Sequence, residues 1–171
     1  MISFKDMKML FRITNYFNPE NILEIGTCYG LTSTTMLNVS SSSALWLYDS
    51  KISDYQVTGR VLYPYLDSIE CYDRLEVAID EYLEALPSAQ IPFMVINDVE
   101  QDFALLKARL GSIVATECVI ILRNISRSDR MKDLWNFLKH SMTHGQSFTN
   151  EKTAVIVVKR KLNLEHFFLW F

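Results

Sequence analysis

The chain has 171 residues, 49% of them apolar and 12% aromatic, which is long enough for one domain with a buried core. It carries 17 basic and 20 acidic residues, and the net charge of -3 lacks the basic excess that binding to a phosphate backbone requires. We therefore expect no nucleic-acid partner.

The first residues of the chain and its cysteines indicate a cellular location. The first residues lack a basic stretch followed by an apolar core, and no run of about eighteen apolar residues occurs. Cys28, Cys71 and Cys118 are an odd set without a CxxC pair, which favours reduced thiols over a disulfide framework. These features predict a cytoplasmic protein without a membrane partner.

The first predicted element is an amphipathic helix. Ser3 and Asp6 form a capping-box pattern, and apolar residues recur at helical spacing until Asn18-Pro19 interrupts them. We expect this helix, within residues 1–20, to pack on a core formed by residues 21–171. No linker composition separates the two parts, so a single domain is predicted.

Strand-length apolar runs then alternate with segments of helical periodicity. The predicted strands are Asn21–Ile25, Ala44–Tyr48, 74–79, Phe93–Ile96 and Cys118–Leu122. Most are continuously apolar, as strands buried on both faces of a sheet are. Helical spacing is found between them, at 31–39, within 55–66, at 103–110 and at 128–140. The alternation predicts a doubly wound α/β fold with a parallel sheet.

The C-terminal part departs from this alternation. Gln146–Thr149 and residues 153–159 flank the turn residues Asn150-Glu-Lys, which predicts an antiparallel hairpin. The aromatic run at 167–171 is expected to form the last strand of the sheet with one face packed, because an exposed run would be a sticky patch. Contact with a second copy in a homodimer is the alternative.

The loop after the first predicted strand is the candidate ligand site, since ligands of open parallel sheets bind beyond the carboxyl ends of the strands. Gly26 and Gly30 frame it in an E-x-G-x-x-x-G pattern that differs from the G-x-G-x-x-G of dinucleotide folds. The carboxylate of Glu24 would repel a pyrophosphate and favours a cationic ligand. Asp49 ends the next strand, where a ribose-binding acid is found in such folds. Alternatively, the glycines only form a turn and the acids are solvated strand ends.

Four segments resemble one family, in chain order. NILEIGTCYGLTSTTML resembles motif I of class I S-adenosylmethionine (SAM)-dependent methyltransferases, in the LEIGT..G.ST version of O-methyltransferase-like bacterial proteins. IPFMVINDVEQDFALL resembles the family's fourth strand, CVIILRNISRSDRMKDLWNFLK its fifth and TAVIVVKRKLNLEHFFLWF its closing strands. The resemblance covers about residues 21 to 171. It implies a Rossmann-like, doubly wound, seven-stranded mixed sheet with a C-terminal antiparallel hairpin.

The resemblance implies SAM as cofactor and methyl transfer to a small-molecule acceptor, with oxygen as the receiving atom. Glu24 would hold the methionine end, Gly26 to Gly30 the backbone cradle, Asp49 the ribose, and Ile79 with Asp80 the adenine edge. The cofactor-binding candidates are Glu24, Gly26, Thr27, Cys28, Tyr29, Gly30, Thr32, Ser33, Asp49, Ile79, Asp80 and Asn97. No catalytic residue is predicted, because methyl transfer depends mainly on positioning donor and acceptor.

The chain departs from the family where metal-dependent relatives hold a divalent cation. The usual Asp and His after the fourth strand fall on Asn97 and Glu100, or a one-residue shift places Asp98 at the acidic position. The Asp-Asp after the fifth strand falls on Arg123-Asn124. A hard cation needs carboxylate oxygens, so we expect no metal. The same losses motivate an alternative function, a degenerate and non-catalytic methyltransferase-like protein that acts as a binding or assembly module.

Overall fold

The computed structural model describes residues 3–40, 42–50, 56–99 and 101–169, which form two compact units, residues 1–90 and 91–171. The elements of the first unit are α1 (Phe4–Phe17), β1 (Asn21–Ile25), α2 (Leu31–Leu37), β2 (Ala44–Tyr48), α3 (Gln56–Leu62), β3 (Ile69–Tyr72) and α4 (Leu75–Ala85). The three strands are parallel, with β1 paired to β2 and β2 to β3. Short 3-10 turns at Cys28–Gly30 and Tyr63–Ser68 precede α2 and β3.

The predicted N-terminal helix is confirmed as α1. The Asp6 amide donates to Ser3 Oγ at 3.1 Å, and the Ser3 amide donates to the Asp6 carboxylate at 3.3 Å, which completes the capping box. The helix ends at Asn18, whose φ of 43° is left-handed. Leu10 and Thr14 are its buried residues, and α1 packs against α2.

One predicted strand is wrong. Residues 74–79 were expected to form the third strand, but they begin helix α4, and the third strand is Ile69–Tyr72. The buried residues of α4 are Leu75, Ala78, Ile79 and Tyr82. Their spacing is that of one helix face, so helical burial accounts for the apolar run. The sequence analysis placed Ile79 and Asp80 at the end of a strand and therefore beside the adenine. Both residues lie within α4, so this reason for assigning them to the adenine no longer holds.

The elements of the second unit are β4 (Phe93–Ile96), α5 (Phe103–Ile113), β5 (Cys118–Leu122), α6 (Asp129–Ser141), β6 (Gln146–Thr149), β7 (Ala154–Val158) and β8 (Glu165–Phe168). Strands β6 and β7 form the expected antiparallel hairpin. In the turn that joins the two strands, Asn150 Oδ1 accepts hydrogen bonds from the amides of Lys152 and Thr153 at 3.1 and 2.9 Å. Such an Asx turn is what the Asn-Glu-Lys sequence predicts.

The strand order is β3-β2-β1 in the first unit and β4-β5-β7-β6-β8 in the second, where parallel and antiparallel pairings are mixed. The α/β class is as predicted, and the described residues contain eight strands where the resemblance implied seven. The eighth strand, β8, overlaps the terminal aromatic run that was expected to form a strand, and it pairs in parallel with β6. The ring of Phe167 stacks on Phe148 with centroids 5.2 Å apart, yet all four residues of β8 are exposed. The expected packed face is therefore only partly formed, and Trp170 and Phe171 lie outside the described residues.

The continuously apolar strands are fully buried, as expected. All residues of β4 and β5 are buried, and burial raises the pKa of the Cys118 thiol to about 12, so this group stays neutral at physiological pH. Within the described part of the chain, no helix has the length and apolarity needed to cross a membrane.

Gly145 is expected to tolerate no side chain. Its φ is +100°, and a Cβ atom there would lie 2.6 Å from the Val157 carbonyl oxygen. We expect Gly145→Ala to lower the free energy of unfolding by about 2 kcal/mol or more. Gly59→Ala is the matched control, since nothing lies within 4 Å of its added Cβ and the residue is helical. That variant should be neutral or more stable by up to about 1 kcal/mol in urea denaturation. Equal effects would contradict the packing seen around Gly145.

His166 is expected to make stability depend on pH. Burial lowers its pKa from 6.5, and the charges of Lys139 and His140 lower it further. The folded protein then binds this proton more weakly than the unfolded chain, so the free energy of unfolding should fall as pH drops below the unfolded pKa. In His166→Asn, which can still bond Ser147 Oγ, the slope of stability against pH should be smaller in urea titrations. An unchanged slope would contradict this assignment.

Candidate functional site

The carboxyl ends of β1, β2 and β3 meet at one edge of the first unit. Ile25 pairs with Tyr48, and Tyr48 pairs with Tyr72, so the next residues along each strand are Gly26, Asp49 and Asp73. Neighbouring strands lie about 4.8 Å apart, which places Asp49 beside the glycine loop and Asp73 one strand further along the same edge. Sequence reasoning missed Asp73 because it misplaced the third strand. The polar residues Asp67-Ser68 and Asp73-Arg74 on either side of Ile69–Tyr72 could have indicated that strand.

Asp49 fixes the loop to the end of β2. The amide and the hydroxyl of Thr27 both donate to Asp49 Oδ2 at 3.0 Å, and Thr27 is almost fully buried. The Gly26 amide donates to the Tyr48 carbonyl at 2.8 Å, which continues the strand pairing into the loop. A carboxylate that accepts two hydrogen bonds from one residue sets both the position and the direction of the chain there.

Glu24 is a buried carboxylate, not a solvated strand end. Its side chain has no exposed surface, and it accepts hydrogen bonds from the hydroxyls of Thr32 and Ser33 on α2. Both hydroxyl residues are themselves fully buried. A charge in such a place requires bonded partners, and these two partners connect the end of β1 to the first turns of α2. Glu24 therefore holds the two elements that flank the loop.

The loop backbone is left-handed at four of its positions. The φ angles are 83° at Gly26, 45° at Cys28, 60° at Tyr29 and 80° at Gly30. A Cβ atom on Gly30 would lie 3.1 Å from the side chain of Leu62, so both its conformation and its surroundings require glycine. Cys28 is partly exposed, and Tyr29 is 63% exposed. The loop thus turns tightly while presenting these two side chains outward.

Two titratable groups of β3, the Cys71 thiol and the Tyr72 phenol, have raised pKa values. Burial raises the pKa of Cys71, with Glu70 adding to the effect. Burial also raises the pKa of Tyr72, and Glu81, which accepts from the Tyr72 hydroxyl at 3.3 Å, raises it further. Both groups are neutral at physiological pH, so this edge carries negative charge where the sequence analysis expected a cationic ligand.

Asn97 and the residues after β5 form a separate cluster in the second unit. Arg123 Nη1 donates to Asn97 Oδ1 at 2.7 Å, and Asn124 Nδ2 donates to the Asn97 carbonyl at 2.9 Å. Asn97 and Arg123 are 2% and 3% exposed. A buried guanidinium disfavours a bound metal cation at this place. The described residues contain no group of three or more His, Cys, Asp or Glu side chains that could hold a metal, and Glu100 lies outside them.

The structure brings most of the predicted cofactor residues together. Nine of them lie in or beside the loop of the first unit: Glu24, Gly26, Thr27, Cys28, Tyr29, Gly30, Thr32, Ser33 and Asp49. Ile79 is fully buried inside α4, with Asp80 beside it in the same helix. Asn97 belongs to the second unit, where it contacts Arg123 and Asn124.

Solved structures resemble this chain in fold. The O-methyltransferase TomG from Streptomyces achromogenes, in complex with SAM, matches with a TM-score of 0.67 and 14% identity over 93% of this chain and 82% of its own. The O-methyltransferase from Bacillus cereus, in complex with S-adenosylhomocysteine (SAH), matches with a TM-score of 0.68 and 16% identity over 92% and 83%. A methyltransferase from Geobacter sulfurreducens matches with a TM-score of 0.65 and 16% identity, over 92% of this chain and 82% of its own.

No protein-family model matches the sequence, and no curated protein matches it. The structural matches nevertheless span more than nine-tenths of the chain. The chain therefore shares the fold of these solved structures, with the Rossmann-like α/β arrangement that the sequence resemblance predicted.

The hydroxyls bonded to Glu24 are expected to stabilise the fold. Thr32→Val removes one donor and leaves a buried carboxylate less satisfied, so the free energy of unfolding should fall by about 1–3 kcal/mol. Thr34→Val is the matched control on the same helix, because the Thr34 hydroxyl bonds only its own helix at an exposed position. Urea denaturation compares the two variants. If both have the same effect, the contact with Glu24 contributes nothing to stability.

Proposed function

We propose that this chain binds SAM at the loop between β1 and α2 and transfers its methyl group to a small-molecule acceptor, with oxygen as the receiving atom. The observation that carries the proposal is the Thr27–Asp49 contact, which fixes a left-handed glycine loop beside a carboxylate at the carboxyl edge of a parallel sheet. TomG and the Bacillus cereus protein, which share this fold, were crystallised with SAM and SAH respectively.

The residues at this edge fit the charges of SAM. The cofactor carries a sulfonium and an ammonium group, and its ribose offers hydroxyl donors. Asp49 and Asp73 supply acceptor oxygens of negative charge, while a pyrophosphate would meet repulsion from the same groups. Asp49 is the proposed ribose acceptor, as the sequence analysis expected. Asp73, at the end of β3, replaces Ile79 and Asp80 as the proposed neighbour of the adenine.

Glu24 acts indirectly in this proposal. It is buried against Thr32 and Ser33, so its effect on the methionine end passes through the loop and helix that it holds. Gly26 and Gly30 take the left-handed backbone that lets the loop turn tightly beside the proposed cofactor position. These residues are positioning residues, since none of them takes part in a bond that forms or breaks.

When bound, SAM would supply a methyl group from a positively charged sulfur: an acceptor oxygen would bond to the methyl carbon in line as the carbon–sulfur bond breaks, with SAH as the leaving group. The protein then contributes mainly by orienting donor and acceptor and by excluding water. Such a reaction needs no metal where the acceptor oxygen is already ionised. The proposed location is the cytoplasm, and the terminal aromatic run is the proposed contact if the protein forms a homodimer.

A non-catalytic binding or assembly module is the second candidate function. It is favoured by the buried contact between Arg123 and Asn97, where the sequence resemblance led us to expect metal-binding acids. A chain that has lost those acids can keep the fold and the cofactor loop without the reaction. Binding of SAM alone therefore does not separate the two candidates, and turnover must be measured as well.

Calorimetric titration with SAM and with SAH tests the cofactor site, with NADH as the ligand control. We expect micromolar binding of SAM and SAH and no binding of NADH. Asp49→Ala should weaken SAM binding by about tenfold to a hundredfold, because a charged hydrogen-bond acceptor is removed. Asp133→Ala is the matched control, since Asp133 is exposed and ion-paired with Lys107 on another surface. Equal affinities of the two variants would overturn the site.

Formation of SAH separates the two candidate functions. The wild-type protein is incubated with SAM and a panel of phenols and carboxylic acids, and SAH is quantified by mass spectrometry. Release of SAH that depends on an acceptor supports methyl transfer, and Asp49→Ala should reduce it. SAM binding without any acceptor-dependent SAH favours the binding module.

A further inference from the structure

A cavity lies within residues 91–171, which form the second unit. Its volume is about 560 Å³, which falls in the range of pockets that bind small molecules. Its walls come from the 3-10 turn Ile125–Arg127, one face of α6, the ends of β6 and β8, and the turn residue Glu151. None of the residues assigned to the cofactor borders it.

The floor of this cavity is apolar and aromatic. Ile125 and Trp135 line it and are 5% and 8% exposed, so both are fixed by the surrounding core. Phe168 adds a ring that is 45% exposed, and its strand partner across β6 and β8 is Thr149, which also lines the cavity. An aromatic ring packs favourably on such a surface.

The rim carries two basic and two acidic side chains, Arg127 and Lys132 against Asp129 and Glu151. The backbone holds Glu151 in place, since its amide donates to Thr149 Oγ1 at 3.1 Å and its φ is 68°. Lys132 lies one helical turn after Ser128, whose carbonyl accepts from the Lys132 amide at 3.0 Å. The rim therefore offers partners to a cation and to an anion at once.

We propose that this cavity binds a small aromatic zwitterion of the α-amino acid class. The ring lies against Ile125, Trp135 and Phe168. The carboxylate faces the basic side chains, chiefly Lys132, and the ammonium group faces the acidic ones, chiefly Glu151. A ligand with only one charge would be repelled by one pair of rim residues, and an uncharged ligand would desolvate four charges without compensation. The proposal does not depend on the proposed methyl transfer.

The test is titration of the protein with three probes: L-phenylalanine, phenylacetate, which lacks the ammonium group, and phenethylamine, which lacks the carboxylate. We expect L-phenylalanine to bind about tenfold more tightly than either analogue, since each analogue loses one charged contact. Phenylacetate binding as tight as L-phenylalanine would overturn the proposal in favour of a simple anion site. If L-phenylalanine does not bind at about 10 mM, its free energy of binding is weaker than about 3 kcal/mol, and the proposal is overturned entirely.

Two variants locate the binding. Lys132→Met should weaken phenylacetate more than phenethylamine, and Glu151→Gln should do the reverse, because each removes the partner of one charge. Lys107→Met and Asp133→Asn are matched controls, since these two residues pair with each other at 2.8 Å and neither lines the cavity. If the controls weaken L-phenylalanine as much as the cavity variants do, the ligand binds elsewhere. Asp49→Ala should leave L-phenylalanine binding unchanged, which keeps this site distinct from the cofactor loop.

Discussion

The burial of the Glu24 carboxylate constrains the first unit more than any other single contact. An ion with no exposed surface is costly unless polar groups surround it, and Thr32 and Ser33 supply two of those groups from α2. The end of β1 and the start of α2 must therefore approach each other closely. The loop between them has few residues with which to make that approach, and it does so with left-handed backbone at Gly26 and Gly30.

The contact between Thr27 and Asp49 follows from the same constraint. Once the loop is drawn back toward α2, its first turn passes the end of β2, where the Asp49 carboxylate accepts from both the amide and the hydroxyl of Thr27. Two carboxylates thus hold the loop from opposite ends, one buried and one partly exposed. A loop held in this way does not need a ligand to order it, which lowers the entropic cost of binding one.

The elements with a strong periodic signal could be predicted from the sequence. The capped helix α1, the apolar strands β4 and β5 and the hairpin at Asn150 all depend on local patterns. Residues 74–79 were misread because six residues are too few to separate a buried strand from one face of a helix, and Tyr82 completes the helical spacing only one turn later. Glu24, Gly30 and Asp49 were recognisable by spacing and resemblance. The hydroxyl contacts to Glu24 depend on how α2 packs against β1, which no local pattern reveals, whereas the place of Asp73 follows once its flanking polar residues are used to bound β3.

Arg123 sets the chemistry of the cluster that it forms with Asn97 and Asn124 in the second unit. A guanidinium offers N–H donors and no acceptor, so it does not take a proton from a hydroxyl. Asn97 and Asn124, which lie beside it, are not bases either. A metal ion would lower the pKa of an acceptor hydroxyl, but the buried positive charge opposes a cation at that place. The side chains of this cluster therefore supply no general base of their own.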